Sequence, residues 1–468
     1  MGIDIGTTSL KAAVFDETGV RHGFCCEDYT LNTDPDSGFI EYDPEGYVQM
    51  CRSVIGRLRD ECGPIDAISV DTQGETMVFA DVDGKPLYPA IVWLDNRATQ
   101  EADEIKERFG VRRVYEVTGQ PEITAGWPAC KALWFRKRHP ELWSRTGKIF
   151  LLEDWILFRL TGNFVTEPTV QSSSIWLDIT TRRWWPEMLD FLGLDAGMLP
   201  EIHRSGELVG TYEGIPVVAG ALDQIAGSIG AGVTDDRRVS EMTGTIMAIC
   251  AMTDHIPAFR EDSIIPCHLH AIEGKYTLIL WSSTAGMALK WFKNQLAENF
   301  SFQDLDALAE AVPAGCDGLS MLPYFCGSTM PRYNPEARAV FSGINLSHTR
   351  GHFARSIMEA VAFVLKQDLD YIGAENVREI RITGGGASSR LWSQIKADVT
   401  RKTLKTVSES ETACLGSAIL AAVGIGAFPS IEEAAEIVAS PRSEYIPGDT
   451  DYTAAYERFC SLDNTMNG

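Results

Sequence analysis

"GIDIGTTSLKAAVFDETG", residues 2–19, reads as a strand, a tight turn and a second strand. Ile3 and Ile5 alternate on the first strand, and the second apolar run ends at an acidic turn at residues 16–19. Asp4 also lies on the first strand, where an acid is costly unless it is paired or binds a cation. Beside a phosphate site the natural cation is Mg²⁺, because it needs few carboxylates and keeps its waters. The sequence therefore predicts Asp4 as a magnesium ligand or, alternatively, as an acid that caps the turn.

A similar hairpin is predicted in the second half of the chain. "RVSEMTGTIMAICAMTD", residues 238–254, again reads as strand, Gly-Thr turn and strand, so "EMTGT" repeats "DIGTT". Two halves that each open with such a hairpin indicate a duplicated α/β domain. The boundary is expected near residues 222–236, which divides the chain into domains 1–231 and 232–468.

Bulk composition excludes some classes of partner. The 468 residues carry a formal net charge of −24, so nucleic acid and anionic membranes are expected to be repelled. No run of 18 apolar residues occurs, so no membrane span is predicted. The 11 cysteines form no CxxC pair and suggest reduced thiols in a cytoplasmic protein.

Glycine turns followed by hydroxyl residues suit phosphate binding, because backbone N–H groups can point at the anion without interference from a Cβ. The candidate phosphate residues are Gly6, Thr7, Thr8 and Lys11 in the first half, and Gly244 and Thr245 in the second. "TGGGAS", residues 383–388, follows a predicted strand and opens a helix, which makes it a candidate nucleotide loop. It matches neither a Walker loop nor a dinucleotide fingerprint.

A lone acid stands in "GIPVVAGALDQIAGSIGAG", residues 214–232. Asp223 follows a buried apolar run and has no nearby base, paired acid, His or Cys in the sequence. Downstream, the helical spacing of apolar residues predicts a long helix over 352–372, and "TACLGSAILAAVGIGAF" predicts a helix of small residues suited to close packing. Residues 130–200 are predicted to be mostly helical.

These segments together resemble the FGGY family of carbohydrate kinases, on the actin-like, ribonuclease H-like ATPase fold. The resemblance covers nearly the whole chain in order. It rests on the first hairpin, "IVWLDNRA", "KALWFRKRHPELW", "VVAGALDQIAGSIGAG", "EMTGT", "AVFSGINLSHTRGHFARSIME" and "ITGGGASSRLWSQIKADV". It implies two α/β domains around a central cleft, the first binding sugar and the second binding nucleotide.

The resemblance also implies roles for individual residues. Asp223 would be the general base that takes a proton from a sugar hydroxyl, and together with Asp4 would hold Mg²⁺. ATP would contact the two Gly-Thr turns and a set of C-terminal residues, namely Gly286, Lys290, Gly385, Gly386, Ala387 and Arg390. Lys290 and Arg390 depart from the amide side chains that glycerol kinases use around adenosine.

The sugar pocket is expected around Gln73, Gly74, Glu75, Trp93 and the Asp223–Gln224 pair. Where glycerol kinases carry Arg-Glu and xylulose kinases Met-His, this chain has Gly-Glu. The missing arginine favours a larger acceptor, and a ketopentose such as xylulose is expected. Glycerol, erythritol or ribulose remain alternatives within the family.

A different class also shares the duplicated domain and the phosphate loops: actin-like or chaperone-like proteins that work by nucleotide-dependent conformational change. Asp223 and the separate pocket around residues 73–75 favour the kinase. The expected partners are ATP, Mg²⁺ and a small sugar or polyol, and a homodimer is left open.

Overall fold

The computed structural model describes residues 1–330 and 332–467 as a mixed α/β chain. The strands before residue 231 are β1 Gly2–Ile5, β2 Ser9–Phe15, β3 Arg21–Asp28, β4 Asn32–Thr33, β5 Ile40–Tyr42, β6 Ile68–Thr72, β7 Met77–Ala80, β8 Ala90–Ile91, β9 Lys148–Leu151, β10 Val165–Thr166, β11 Leu177–Asp178, β12 Arg183–Trp184, β13 Glu201–Ile202, β14 Leu208–Tyr212 and β15 Ile215–Val218. The later strands are β16 Arg238–Thr243, β17 Met247–Thr253, β18 Cys267–Leu269, β19 Tyr276–Ser282, β20 Ser320–Leu322, β21 Val340–Ser342, β22 Glu379–Thr383, β23 Thr403–Val407 and β24 Pro441–Tyr445.

The helices cover these strands. They are α1 Pro44–Cys62, α2 Thr99–Phe109, α3 Val111–Thr118, α4 Pro128–Arg138, α5 Pro140–Trp143, α6 Leu152–Thr161, α7 Pro168–Gln171, α8 Pro186–Leu192, α9 Asp223–Gly230, α10 Gly286–Leu296, α11 Phe302–Glu310, α12 Arg350–Tyr371, α13 Arg390–Thr400, α14 Thr412–Gly424, α15 Ile431–Val438 and α16 Thr453–Asn467. Short 3-10 turns lie at Ala196–Met198, Cys316–Gly318 and Gly385–Ser388.

Two large sheets share one topology. The first has the order β14-β15-β6-β1-β2-β3, and the second β18-β19-β17-β16-β22-β23-β24. In each, a hairpin (β1–β2 or β16–β17) pairs antiparallel with a third strand, and its first strand runs parallel to a later one, β6 or β22. The duplicated α/β domain predicted from the two hairpins is confirmed.

The buried face of helix α12 agrees with the helical spacing of apolar residues in its sequence. Ile357, Val361, Val364 and Leu365 are buried in the core beneath the second sheet, and Phe353 packs against that core. The first half also contains a five-stranded sheet of order β4-β5-β8-β7-β9 and two short strand pairs. Residues 130–200 contain α4–α8, as expected, and also four short strands.

The two halves meet at a pair of helices, α9 and α14. They follow equivalent strands, β15 and β23, and pack through small residues. A Cβ at Gly416 would collide with the Ala226 carbonyl, and one at Gly230 with the Thr412 carbonyl. The small-residue composition of α14 therefore permits backbone contact. The same helix also covers β1 of the first sheet, since a Cβ at Gly2 would collide with the Cys414 carbonyl.

Helices long and apolar enough to cross a bilayer were sought in residues 1–330 and 332–467, and none was found.

Candidate active site

The first predicted phosphate turn, residues 6–9, is held by hydrogen bonds that involve aromatic residues. The Tyr29 hydroxyl donates to the Gly6 carbonyl, and the Gln73 amide donates to the hydroxyls of Tyr29 (3.3 Å) and Tyr47 (3.4 Å). The Gly6 amide closes the turn on the Ser9 carbonyl at 3.0 Å. Gln73, which was predicted in the sugar pocket, also bonds through its amide nitrogen to the two tyrosines beneath this turn.

Three carboxylates lie together below the turn. Asp4 on β1 is the register partner of Asp71 on β6, so the two carboxylates are neighbours in adjacent strands. Asp71 is fully buried, and its Oδ2 accepts from the Ser417 hydroxyl of α14 at 2.6 Å. Burial raises the pKa of Asp4 to about 6, although Lys11 opposes the shift. Burial and the charges of Asp4 and Asp223 raise the pKa of Asp71 well above its usual value.

Asp223 is the third member of this group and the first residue of α9. Its Oδ1 accepts from the Gln224 amide at 2.7 Å, which leaves Oδ2 for another partner. Burial raises the pKa of Asp223 to about 7, and the nearby charge of Asp4 adds to the shift. A carboxylate with a pKa near neutrality is suited to accept a proton from an alcohol. The carbonyl of Gln224 accepts from the Cys250 thiol of β17 at 3.5 Å, so the second half borders the site.

Glu75 faces the same region from the loop after β6. Burial raises the pKa of Glu75, opposed by a hydrogen bond with Ser173 and by the charge of Lys131. Lys131 is completely buried and donates to the carbonyls of Glu75 (3.0 Å) and Val92 (2.9 Å). Burial lowers the pKa of Lys131 to about 7. This lysine fixes two loop backbones at the edge of the predicted sugar pocket.

Trp93 connects that pocket to the first phosphate turn. Its indole N–H donates to the Thr7 hydroxyl at 3.0 Å, while its backbone N–H donates to Thr76 at 3.1 Å. The ring is partly exposed, as is the neighbouring Leu94. The structure thus brings one predicted sugar residue into contact with one predicted phosphate residue.

The second phosphate turn rests on a buried ion pair. Lys396 of α13 donates to Glu241 Oε2 at 2.7 Å and lies 2.6 Å from the Thr243 hydroxyl. That hydroxyl in turn donates to Glu241. Both charged side chains are buried, whereas Thr245 at the tip of the turn is exposed. The backbone of the turn is therefore fixed, and its tip is free to meet a ligand.

The predicted nucleotide residues collect around this second turn. The Gly286 amide donates to the Gly244 carbonyl at 3.0 Å, and a Cβ at Gly386 would lie 2.6 Å from the Thr243 methyl group. Gly385 has open space around its Cα. Arg390 pairs with Glu310 at 2.7 Å, and Lys290 is exposed on α10. Both charged side chains lie on the surface beside the glycine loop.

The donor set at Asp4 and Asp223 suits Mg²⁺, which takes one or two carboxylates and completes its shell with water and phosphate oxygens. Asp71 Oδ1 adds a buried oxygen without a hydrogen-bond donor among residues 1–330 and 332–467. Over the same ranges, no group of three or more His, Cys, Asp or Glu side chains is arranged to enclose a metal by itself. The site therefore fits an ion held jointly with a phosphorylated ligand.

Sequence reasoning missed several residues of this site, among them Asp71, Lys131, Glu241 and Lys396. One signal was available for Asp71. It is an acid in the apolar strand "ISVDT", and the argument that singled out Asp4 applies to it equally. The lysines gave no local signal, because their partners are distant in the sequence.

Comparisons with known proteins agree over the length of the chain. A model of the N-terminal domain of the FGGY family of carbohydrate kinases matches residues 1–230, and one of its C-terminal domain matches residues 260–425. A xylulose kinase of Lactococcus lactis is 29% identical over 481 residues, covering 99% of this chain and 95% of that protein. A glycerol kinase of Thermococcus kodakarensis is 28% identical over 456 residues, covering 93% and 90%.

Among solved structures, a ligand-bound xylulose kinase from Lactobacillus acidophilus superposes with a TM-score of 0.90. It is 26% identical to this chain, and the match covers 99% of this chain and 97% of that one. The whole architecture, with both halves in place, is therefore similar to that of a carbohydrate kinase.

Proposed function

We propose that this chain, which belongs to the FGGY family of carbohydrate kinases, phosphorylates a ketopentose and uses Asp223 as its general base. ATP is the phosphate donor in this family, and the chain is a carbohydrate kinase. The xylulose kinase of Lactococcus lactis supports xylulose as the acceptor. The observation that carries the proposal is the position of Asp223, a carboxylate of raised pKa between Asp4 and Glu75 with one oxygen free.

In the proposed reaction, Asp223 accepts the proton of a sugar hydroxyl as that oxygen bonds to the γ-phosphorus of ATP. The bond from the γ-phosphorus to the β–γ bridging oxygen breaks, and ADP leaves with the electron pair. Such transfers depend mainly on positioning and charge neutralisation. Asp4 and Asp223 would hold Mg²⁺, which supplies positive charge to the phosphate oxygens when bound.

The remaining residues bind and orient the two substrates in this proposal. Glu75, Trp93 and Gln224 would accept from or pack against the sugar, while Leu222 fills the space in which a side chain at Gly74 would lie. The first turn, with Thr7, Thr8 and Lys11, and the second, with Gly244 and Thr245, would contact phosphates. Gly286, Gly385, Gly386 and Ala387 would line the adenosine pocket, with Lys290 and Arg390 at its rim.

The surroundings of Gly74 support a ketopentose over glycerol. A Cβ at this position would lie 2.8 Å from Leu222 Cδ1 and 3.4 Å from Ser173 Oγ. An arginine like that of glycerol kinases would therefore require Leu222, the neighbour of Asp223, to move. Glu75 alone agrees with the glycerol pattern, and the glycerol kinase of Thermococcus kodakarensis keeps glycerol as the second candidate substrate.

A coupled assay of ADP release over pentuloses, hexuloses, polyols and glycerol tests the substrate. Xylulose is expected to give the highest kcat/KM, and activity on glycerol alone would contradict the proposal.

Asp223→Asn tests the base. It is expected to lower sugar-dependent kcat by about 10³-fold, within the range typical of a general base, with ATP affinity within about threefold of wild type. Near-normal turnover by this variant would remove Asp223 from the role.

All eleven cysteines are free thiols, which supports the prediction of a reducing, cytoplasmic location. The homodimer and the domain limits 1–231 and 232–468 also stay predictions.

A further inference from the structure

A buried segment of polar residues runs beside the proposed base. In this polar segment, residues 166–174, seven side chains are buried and polar: Thr166, Glu167, Thr169, Gln171, Ser172, Ser173 and Ser174. Buried polar groups are costly unless they are hydrogen-bonded, so their partners indicate what the segment holds in place.

One set of bonds ends next to Asp223. The Leu222 amide donates to the Thr169 hydroxyl at 2.8 Å, and that hydroxyl donates to Glu167 Oε1 at 2.7 Å. Glu167 also accepts from the amides of Thr169 (2.8 Å) and Val170 (2.5 Å), and from Ser205 Oγ at 2.6 Å. Four donors thus fix the carboxylate that orients the threonine hydroxyl.

A second carboxylate holds the same loop two residues earlier. Glu153, at the start of α6, accepts from the Gly220 amide at 2.9 Å. A Cβ at Gly220 would collide with the Val70 carbonyl of β6, so the loop is pressed against the first sheet. The backbone between β15 and Asp223 is consequently held by side chains as well as by an isolated β-bridge between Leu222 and Thr72.

The polar segment also contacts the other side of the sugar pocket. Ser173 lies beside Glu75, since its Oγ would be 3.4 Å from a Cβ at the preceding Gly74, and Ser172 Oγ accepts from the Leu269 amide of β18 at 3.0 Å. The nine residues of this segment therefore lie next to Glu75, bond to the backbone before Asp223 and contact a strand of the second half. Their geometry sets the separation between the two acids around the sugar.

We propose that Thr169 and Glu167 are positioning residues, which hold the Leu222 backbone so that the Asp223 carboxylate meets the reacting hydroxyl of the sugar. The inference rests on the proposed function, in which Asp223 is the base. A misplacement of the base by about 1 Å can lower the rate by about 10²-fold without weakening substrate binding. Loss of the Thr169 hydroxyl is therefore expected to act on kcat.

The test is Thr169→Val, assayed with ATP and the sugar that gives wild type its highest turnover. The change keeps the side-chain volume and leaves the Leu222 amide without its acceptor. We expect kcat to fall by about 30- to 100-fold, with the KM values for sugar and ATP within about threefold of wild type. Thr169→Ser, which restores the hydroxyl, is expected to recover kcat to within about threefold.

Thr161→Val is the matched control. Like that of Thr169, this hydroxyl accepts from a backbone amide, that of Asn163 (3.1 Å), but it donates to the Leu157 carbonyl (2.7 Å) and lies at the far end of α6. The control is expected to lose similar thermal stability and to keep its kcat. Equal kcat values for Thr169→Val and Thr161→Val would overturn the positioning role.

Asp223→Asn, measured in parallel, separates the two hypotheses. If it retains turnover, the proposed base is wrong. If it is inactive while Thr169→Val is fully active, only the positioning inference is wrong. Should Thr169→Val fail to fold, Ser205→Ala provides the decision, because it removes one of the four donors to Glu167. A kcat lowered by about threefold at unchanged KM supports the role, and an unchanged kcat overturns it.

Discussion

The hairpins β1–β2 and β16–β17 occupy equivalent places in the two sheets, but the charged neighbours of their acids differ. Glu241, in the second, is fully buried and neutralised by Lys396 at 2.7 Å. Asp4, in the first, faces Lys11 across the ladder, but that lysine pairs with Glu411 of the second half at 2.8 Å. The acid at Asp4 is instead surrounded by Asp71 and Asp223.

This difference separates a structural acid from a ligand-binding one. A buried carboxylate that is already paired with a lysine has little remaining attraction for a cation. Three neighbouring carboxylates repel one another unless a cation or a proton neutralises part of their charge. The two hairpins therefore share a framework, while the charge around them is consistent with the proposed metal site in the first half and with phosphate binding through the backbone in the second.

The largest expected effect is that of Asp4→Asn, which removes the proposed cation ligand. We expect kcat to fall by about 10³-fold, the cost typical of losing one electrostatic contact to a transition state. Because the change also relieves repulsion with Asp71 and Asp223, the thermal midpoint is expected to be equal to or above that of wild type. Calorimetry and ADP release measure both. A lower midpoint would show that Asp4 has a structural role like that of Glu241.

Lys396→Met should show the opposite behaviour, with a stability defect. It leaves Glu241 buried without its cation, which costs about 3 kcal/mol in free energy of unfolding, since Thr243 still donates to the acid. The double variant Glu241→Gln/Lys396→Met is expected to recover at least half of that loss, because no uncompensated charge remains. Urea unfolding provides the measurement. A double variant no more stable than the single one would contradict the ion-pair explanation.

The pH dependence of kcat/KM also tests the difference between the acids of the two hairpins. The base must be deprotonated, and the pKa of Asp223 is raised to about 7 by burial and by Asp4. We therefore expect kcat/KM for the sugar to fall about tenfold per pH unit below pH 7 and to level off above it. The residual activity of Asp4→Asn should reach its plateau at lower pH, because one negative neighbour is gone. Glu241→Gln should leave the midpoint unchanged, and a shift there would contradict the separation of the two acids.

The smallest expected effect concerns the turn itself. Thr7 in the first turn is held by the Trp93 indole at 3.0 Å. Trp93→Phe removes that hydrogen bond, which is worth about 1 kcal/mol, so kcat/KM should fall by about fivefold. If Trp93 connects the two sites, the KM values for both ATP and sugar should rise. An effect on the sugar alone would place Trp93 in the pocket without a role in the turn.

Both hairpins, Asp4 and the glycine loop were predictable because the information is local. Alternating apolar residues, turn glycines and helical spacing all lie within about twenty residues of one another. The supporting contacts are of another kind. Glu241 meets Lys396 across 155 residues, and Asp71 meets Ser417 across 346. A single sequence gives no sign of which buried acid pairs with which distant lysine or hydroxyl.

The polar segment illustrates the same limit. Residues 130–200 were predicted as mostly helical, and in this run "TEPTVQSSS" forms only the four-residue helix α7. Its serines and threonines bond to residues before and after it in the chain, outside any helical period. Gln73, which was predicted to contact sugar, donates its amide to two tyrosines for a similar reason, since those rings become neighbours only once the sheet has formed.

The position of α14 on the first sheet has a consequence during synthesis on the ribosome. Ser417 and Glu411, which bond to Asp71 and Lys11, are translated 346 and 400 residues after them. At about 5 to 20 residues per second, roughly 20 to 80 s pass between the synthesis of β1 and β6 and that of α14, and roughly 10 to 40 s between α9 and α14. The nascent first half must therefore expose the apolar side chains of Ile225 and Ile229, which Leu415 and Ile419 later cover. Apolar side chains exposed in this way favour aggregation of the nascent chain until α14 has been made.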